Sequence, residues 1–191
     1  IENYLLTPEE IKKMVPALDI SEDRPNAVRG GYFNPPGGQV RHDAAVWGMV
    51  KGCSKLGIDL CAPVEATGFR IEGDRITGVE TDSGFISTPL VHMAPGGYSS
   101  EMAKLAGLTL PVVTLPLQAM VTEPIKPFLN HVIISEHYFC YVNQSMKGDL
   151  IMGAHLDPWQ SYHNYNTYEF AAEQAYFMLE LFPDIAHVKL M

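Results

Sequence analysis

Two prolines followed by two glycines, in Asn34-Pro35-Pro36-Gly37-Gly38, constrain this chain more than any other stretch. Proline has no backbone N–H and a fixed φ, and glycine favours turns, so neither a helix nor a strand ladder passes through such a run. The chain must turn there. A short strand is expected before the turn, over residues 28–33, and a helix after it. Asp43 is placed to cap that helix, which runs to Leu56 and ends at Gly57. Val46, Met49, Val50 and Cys53 recur at helical spacing with Trp47 beside them, and Lys51 and Lys55 lie elsewhere around the wheel. An apolar strand over residues 58–61 is expected next.

The length, 191 residues, suffices for one domain with a sizeable core or for two small lobes. The net charge of -9, with no block of lysine and arginine, argues against nucleic acid or an anionic membrane as the main partner. No apolar run is long enough to span a bilayer. The first residues, IENYLLTPEE, show no basic region followed by an apolar one, which reads as the absence of a signal peptide. Cys53, Cys61 and Cys140 sit in apolar surroundings without CxxC spacing. They read as buried free thiols in a reducing, cytoplasmic compartment. Both ends read as cut, so a piece of a longer protein is expected.

Elsewhere, Thr7-Pro8-Glu9-Glu10 is a helix start, with Thr7 as cap and a stop before Pro16. Residues 67–71 and 75–81 read as a hairpin around Glu72-Gly73-Asp74. Strands follow over 85–88 and 90–94, and the latter runs through Pro95-Gly96-Gly97-Tyr98-Ser99-Ser100 into a helix over 101–106. From Pro111 the texture becomes β-rich. Antiparallel strands are expected near 112–122, 132–134, 137–143 and 150–155. An aromatic stretch follows with Trp159, Tyr162, His163 and Tyr165, and then a helix over 168–181 that stops before Pro183. The expected fold is mixed α+β and α/β, with one lobe over residues 1–110 and a second over 111–191.

Three places could carry chemistry. The turn Ala94-Pro95-Gly96-Gly97 lets a ligand approach the backbone closely, although two glycines at a strand-to-helix turn also serve purely steric needs. His42, beside Arg41, reads either as a surface or cap histidine or as a nucleophilic or ligand-contacting imidazole. His155, at a strand end among aromatics, reads either as a solvated histidine or as one side of a pocket for a small carboxylate or amine. Tyr138 and Tyr141 read as core or edge aromatics. The remaining histidines show no HxxxH or HExxH spacing, so no metal is expected. The chain contains no GxGxxG after a strand and no GxSxG elbow.

The segments GGYFNPPGGQVRHDAAVWG, LGIDL, EATGFRIEGDRITGVETDSGFI, APGGYSS, LPLQAMVTEPIKP, NQSMKGDLIMGAHLD and ELFP resemble the beta-subunit branch of the heterotetrameric sarcosine oxidases. That branch lies within the D-amino-acid-oxidase-like family of flavin amine oxidases. The resemblance implies a Rossmann-like FAD-binding domain joined to a substrate domain on an antiparallel sheet. Both are partial here, over residues 1–110 and 111–191. It implies oxidation of sarcosine or a related N-methyl amino acid, with electrons passing from FAD to FMN to oxygen, in an assembly with alpha, gamma and delta subunits. His42 then matches the histidine that carries covalent FMN, with Arg41 beside it. Ala66 matches a backbone contact to the adenine of FAD, and Ala94, Gly96 and Gly97 match a turn near its diphosphate. Pro95 and Tyr98 depart from the family's wording. His155 falls at a substrate-pocket position of related monomeric enzymes. Because the chain carries no GxGxxG unit, it is expected to bind FAD weakly or not at all when isolated, and to self-associate through uncovered apolar surface. A single-flavin amine oxidase or dehydrogenase and a non-catalytic module are the alternatives.

Overall fold

The structure, a computed structural model, describes residues 2–191 apart from the side chains of Ala154 and His155. In chain order the elements are β1 (Tyr4–Leu6), α1 (Pro8–Met14), β2 (Gly31–Phe33), α2 (His42–Lys55), β3 (Ala66–Glu72), β4 (Arg75–Thr81), β5 (Gly84–Ser87), a single 3-10 turn (Gly96–Tyr98) and α3 (Ser99–Leu105). They continue with β6 (Leu117–Val121), β7 (Ile133–Ser135), β8 (Cys140–Gln144), β9 (Leu150–Leu156), α4 (Tyr168–Leu181) and a 3-10 turn (Pro183–Ile185). The mixture of helices with antiparallel sheets is the expected one. Two compact units form, one from Ile1–Gln39 with Leu115–Met191 and the other from Val40–Thr114. The first 39 residues therefore go with the later part of the chain rather than with residues 40–110.

The reason lies in the core of the first unit. Its sheet has the order β6-β9-β8-β7, all antiparallel. Alternation on β8 buries Cys140, Val142 and Gln144, and β9 adds Leu150 and Met152. On α4, Phe170, Gln174, Met178 and Leu181 are buried at helical spacing, and Phe182 follows them. Val15 and Leu18, just after α1, are buried in the same cluster. Polar links hold this arm in place. The Asp19 N–H donates to the Leu181 carbonyl at 2.9 Å, and Arg24 donates to the Glu180 carbonyl at 2.7 Å while pairing with Asp19 at 2.8 Å. Gln144 is a buried clamp. Its Oε1 accepts from the N–H groups of Phe128 and Leu129 at 2.8 and 3.0 Å, and its Nε2 donates to the Gly148 carbonyl at 2.8 Å.

Two predictions arise here. Hydrogen bonds from the Ser21 side chain and backbone, and then the charge of Arg24, hold the Asp19 carboxyl below its ordinary pKa. A depressed folded-state value contributes stability that is fully present above the unfolded pKa of about 4 and is lost as pH falls through the lower folded value. Asp19→Asn flattens that acid limb in urea midpoints measured against pH, and an unchanged slope contradicts the assignment. Burial pushes the Cys140 thiol up to about 11, whereas Cys61 is exposed and Cys53 half-buried. The expectation that all three thiols are buried is corrected on this point. A thiol reagent at neutral pH labels Cys61 in the folded chain and reaches Cys140 only on unfolding; labelling of folded Cys140 as fast as Cys61 overturns this.

α1 begins as read, with Thr7 and Glu10 closing a reciprocal capping box. β1 was not expected from the sequence; it exists because it pairs antiparallel with β2. The Gly37 N–H closes the expected turn onto the Asn34 carbonyl at 3.0 Å.

In the second unit, β3, β4 and β5 form an antiparallel meander, and α3 packs against β3. α2 ends as Gly57 predicts. Gly57 has φ +75°, and Gly57 and Ile58 donate to the carbonyls of Ser54 and Cys53 at 3.1 Å each. Its start differs from the expectation. Arg41 occupies the cap position without a side-chain cap, and Asp43 lies inside the first turn. There its charge favours the positive helix end, and its carboxylate meets Arg41 at 2.8 Å. The stripe of Val46, Met49, Val50 and Cys53 is not buried, and Trp47 is 64% exposed. Residues 58–61 and 90–94, expected as strands, belong to no strand. A strand requires a neighbour to accept its ladder bonds, and neither segment has one among the described residues.

Candidate functional site

All six expected cofactor residues, Arg41, His42, Ala66, Ala94, Gly96 and Gly97, lie within the second unit, Val40–Thr114. The backbone of His155 lies in β9 of the other unit, and its side chain is outside the described residues.

The turn is built with some care. Gly96 has φ +59°, a conformation that side-chain-bearing residues rarely adopt, and a Cβ there would meet open space. A Cβ on Gly97 would stand 3.3 Å from Thr114 Cγ2. Thr114 donates its hydroxyl to the Gly97 carbonyl, Ser99 donates to the Gly96 carbonyl at 2.7 Å, and the Ser100 hydroxyl donates to the Val112 carbonyl at 2.6 Å. Ala94, Gly96 and Gly97 are exposed nonetheless. A pinned, exposed glycine turn offers its backbone to a ligand, and the open space at Gly96 fits the close approach of a dinucleotide phosphate. Ala66 opens β3, and β3 packs on the helix that follows this turn.

His42 is the first residue of α2 and is exposed. No hydrogen bond to its ring is found among the described residues. Its neighbours pair with each other instead. Hydrogen bonds from Arg41, then from the Ala44 backbone, hold the Asp43 carboxyl below the usual carboxylate range, and the charges of Arg41 and His42 add to this. An accessible imidazole with both nitrogens uncommitted can act as a nucleophile or as an attachment point. No contact between His42 and the glycine turn is seen among the described residues.

A polar network near the end of β9 was not anticipated. His163 Nε2 lies 2.8 Å from Asp157 Oδ2, and its Nδ1 lies 3.2 Å from the Tyr165 carbonyl. Both nitrogens thus lie within hydrogen-bond distance of an oxygen. Gln118 Nε2 donates to Asp157 Oδ1 at 2.9 Å, and Gln118 Oε1 accepts from the Thr167 N–H at 2.8 Å. Thr167 in turn caps α4. The His163 ring stacks on Tyr165 with centroids 4.5 Å apart. The network ties the aromatic loop to β6 and to the start of α4. Six residues separate Asp157 from His163 along an irregular loop, and no periodic spacing announces such a pair.

The model of the DAO family, FAD dependent oxidoreductases, matches residues 1–190. The chain is 37% identical to the sarcosine oxidase subunit beta of Rhodobacter capsulatus, covering all of this chain and 46% of that protein. It is 38% identical to the corresponding subunit of Rhizobium meliloti, with the same shares of each. The chain thus spans just under half the length of the curated relatives it matches. Among solved structures, L-proline dehydrogenase from P. horikoshii superposes with a TM-score of 0.89 at 31% identity, over 99% of this chain and 50% of that one. Glycine oxidase from Geobacillus kaustophilus shares the fold, with a TM-score of 0.83 at 19% identity over 100% of this chain and 49% of its own. By the family match along nearly its whole length, this chain belongs to the DAO family of FAD dependent oxidoreductases.

Proposed function

We propose that the full-length protein carrying this sequence is a flavin-dependent amine oxidoreductase of the sarcosine oxidase beta-subunit type. Its net reaction converts sarcosine, oxygen and water into glycine, formaldehyde and hydrogen peroxide. The observation that carries this reading is 37% identity along all 191 residues to a sarcosine oxidase subunit beta. The accessible His42 at the head of α2 supports the finer assignment of a covalently held FMN beside a non-covalent FAD. Partner alpha, gamma and delta subunits and a cytoplasmic location belong to the same proposal.

In this reading Ala66, Ala94, Gly96 and Gly97 present backbone to FAD, and Arg41 and His42 hold the second flavin. The unit built on β6-β9-β8-β7 belongs to the substrate domain, and His155 is its candidate substrate-pocket residue. When bound, a flavin accepts the two electrons removed from the N-methyl carbon and returns them to oxygen. The chain's own part is to fix the glycine turn through Thr114, Ser99 and Ser100, and to hold the aromatic loop through His163 and Asp157. The uncovered apolar faces of α2 make self-association of the isolated 191 residues part of the reading.

A second reading, a single-flavin dehydrogenase, is favoured by the superposition on an L-proline dehydrogenase. Oxygen-electrode assays of the full-length protein separate the two. Sarcosine-dependent oxygen uptake with equimolar peroxide is the expected result. Turnover of L-proline with a dye acceptor, and no oxygen uptake with sarcosine, overturns the proposal in favour of the second reading.

A further inference from the structure

We propose that Gln118 is a positioning residue for the substrate site. Its buried amide clasps both ends of the aromatic loop, residues 157–167, and so fixes the end of β9 where His155 stands. The role rests on the proposed function, with His155 as its substrate-pocket residue.

β6 and β9 are out of simple register at this point. Leu117 pairs with Leu156 and Ala119 with Gly153. A single residue of β6, Gln118, therefore stands opposite two of β9, residues 154 and 155. Such a bulge interrupts the ladder and bends the strand, and bulges recur beside active sites. The backbone at 154–155 draws less support from the sheet than its neighbours do, so a tie from outside the ladder matters there.

Gln118 supplies that tie. It is only 6% exposed, and both ends of its amide are used. Nε2 donates to Asp157 Oδ1 at 2.9 Å, and Oε1 accepts from the Thr167 N–H at 2.8 Å. One side chain thus joins the first residue of the loop to the last. Two further bonds run from the loop to the backbone around Gln118. The Asp157 N–H donates to the Pro116 carbonyl at 3.1 Å, and Asn166 Nδ2 donates to the Ala119 carbonyl at 2.8 Å. Compact loops of about 6–16 residues whose ends meet in this way are frequently functional. The chemistry of the clasp is specific. The loop ends present a carboxylate oxygen and an N–H, and an amide offers the donor and the acceptor that match them. Glutamate matches only the N–H, and methionine matches neither.

Steady-state kinetics of the full-length protein test the role. Gln118→Glu sets a carboxylate against Asp157 Oδ1. It is expected to raise KM for sarcosine about tenfold while kcat stays within about twofold, because binding is lost and the chemical step is kept. Adding Asp157→Asn restores a donor across the clasp and is expected to return KM to within about threefold of the unsubstituted value. Exchange of the Asp157 amide is expected to quicken about tenfold in the single variant and to slow again in the double. If Gln118→Glu fails to fold or to keep its flavin, Gln118→Met carries the test. It keeps the length and removes both contacts, and the same rise in KM is expected. An unchanged KM in a folded variant overturns the role. A KM that stays raised after Asp157→Asn is added to a folded Gln118→Glu overturns it too, because the effect then does not pass through the clasp. A protein that turns over L-proline and not sarcosine overturns the sarcosine reading alone, and the same comparison of KM made with L-proline then decides the role of Gln118.

Discussion

His42→Ala in the full-length protein abolishes flavin that stays attached after acid precipitation, while FAD released by the same treatment remains at wild-type level. The effect is all or none because a covalent bond requires the imidazole nitrogen and alanine offers nothing in its place. Position supports the choice. His42 is exposed at the first helical residue of α2, no hydrogen bond to its ring is found among the described residues, and Arg41 and Asp43 pair with each other at 2.8 Å. A second variant guards the result. Asp43→Asn removes the ion pair yet keeps the imidazole, so acid-stable flavin persists in it. The measurement is absorbance and fluorescence of the washed, denatured protein. Acid-stable flavin retained in His42→Ala places the linkage elsewhere, and its absence from the unsubstituted protein removes the FMN part of the proposal.

Phe182→Ala unfolds the first unit at temperatures where the unsubstituted chain is folded. Phe182 is 1% exposed and sits edge-on to Phe128, with ring centroids 6.0 Å apart. It follows α4 directly, and its N–H donates to the Met178 carbonyl at 2.7 Å. Removing such a ring costs about 3–5 kcal/mol, from lost transfer energy and the cavity left behind. Domains of this size are stable by only about 5–15 kcal/mol. The cost therefore consumes a large share of the whole, and Val15, Leu18 and Leu181 in the same cluster lose a neighbour. Urea titration followed by far-UV circular dichroism measures it. A midpoint within error of the unsubstituted chain would show that Phe182 does not anchor the core.

Local chemistry made much of the fold legible. Thr7 with Glu10 announces α1, Gly57 announces the end of α2, and the apolar spacing from Phe170 to Leu181 with Pro183 behind it marks α4. Glu72-Gly73-Asp74 marks the hairpin of β3 and β4. What failed depended on groups distant in sequence. β1 is a strand only because Gly31–Phe33 returns to pair with it. Residues 58–61 and 90–94 have strand composition but no ladder partner among the described residues, so composition alone misleads there. Cys61 read as buried, because apolar composition reports the preference for burial and not the presence of a cover.

The site divides in the same way. Gly96 was legible because a positive φ requires glycine. His42 was legible only as an imidazole near a helix start, and its flavin role came from resemblance. The pairing of His163 with Asp157, with Gln118 and Thr167 behind it, needs three chain segments brought together. No local pattern encodes that meeting.

In the proposed function the full-length protein removes electrons from an N-methyl amino acid onto a flavin. Anaerobic mixing of that protein with sarcosine, followed by visible absorbance, tests it most directly. The account predicts that the oxidised flavin band bleaches on adding sarcosine and returns on admitting oxygen. A protein that retains its flavin and keeps the oxidised band at saturating sarcosine contradicts it.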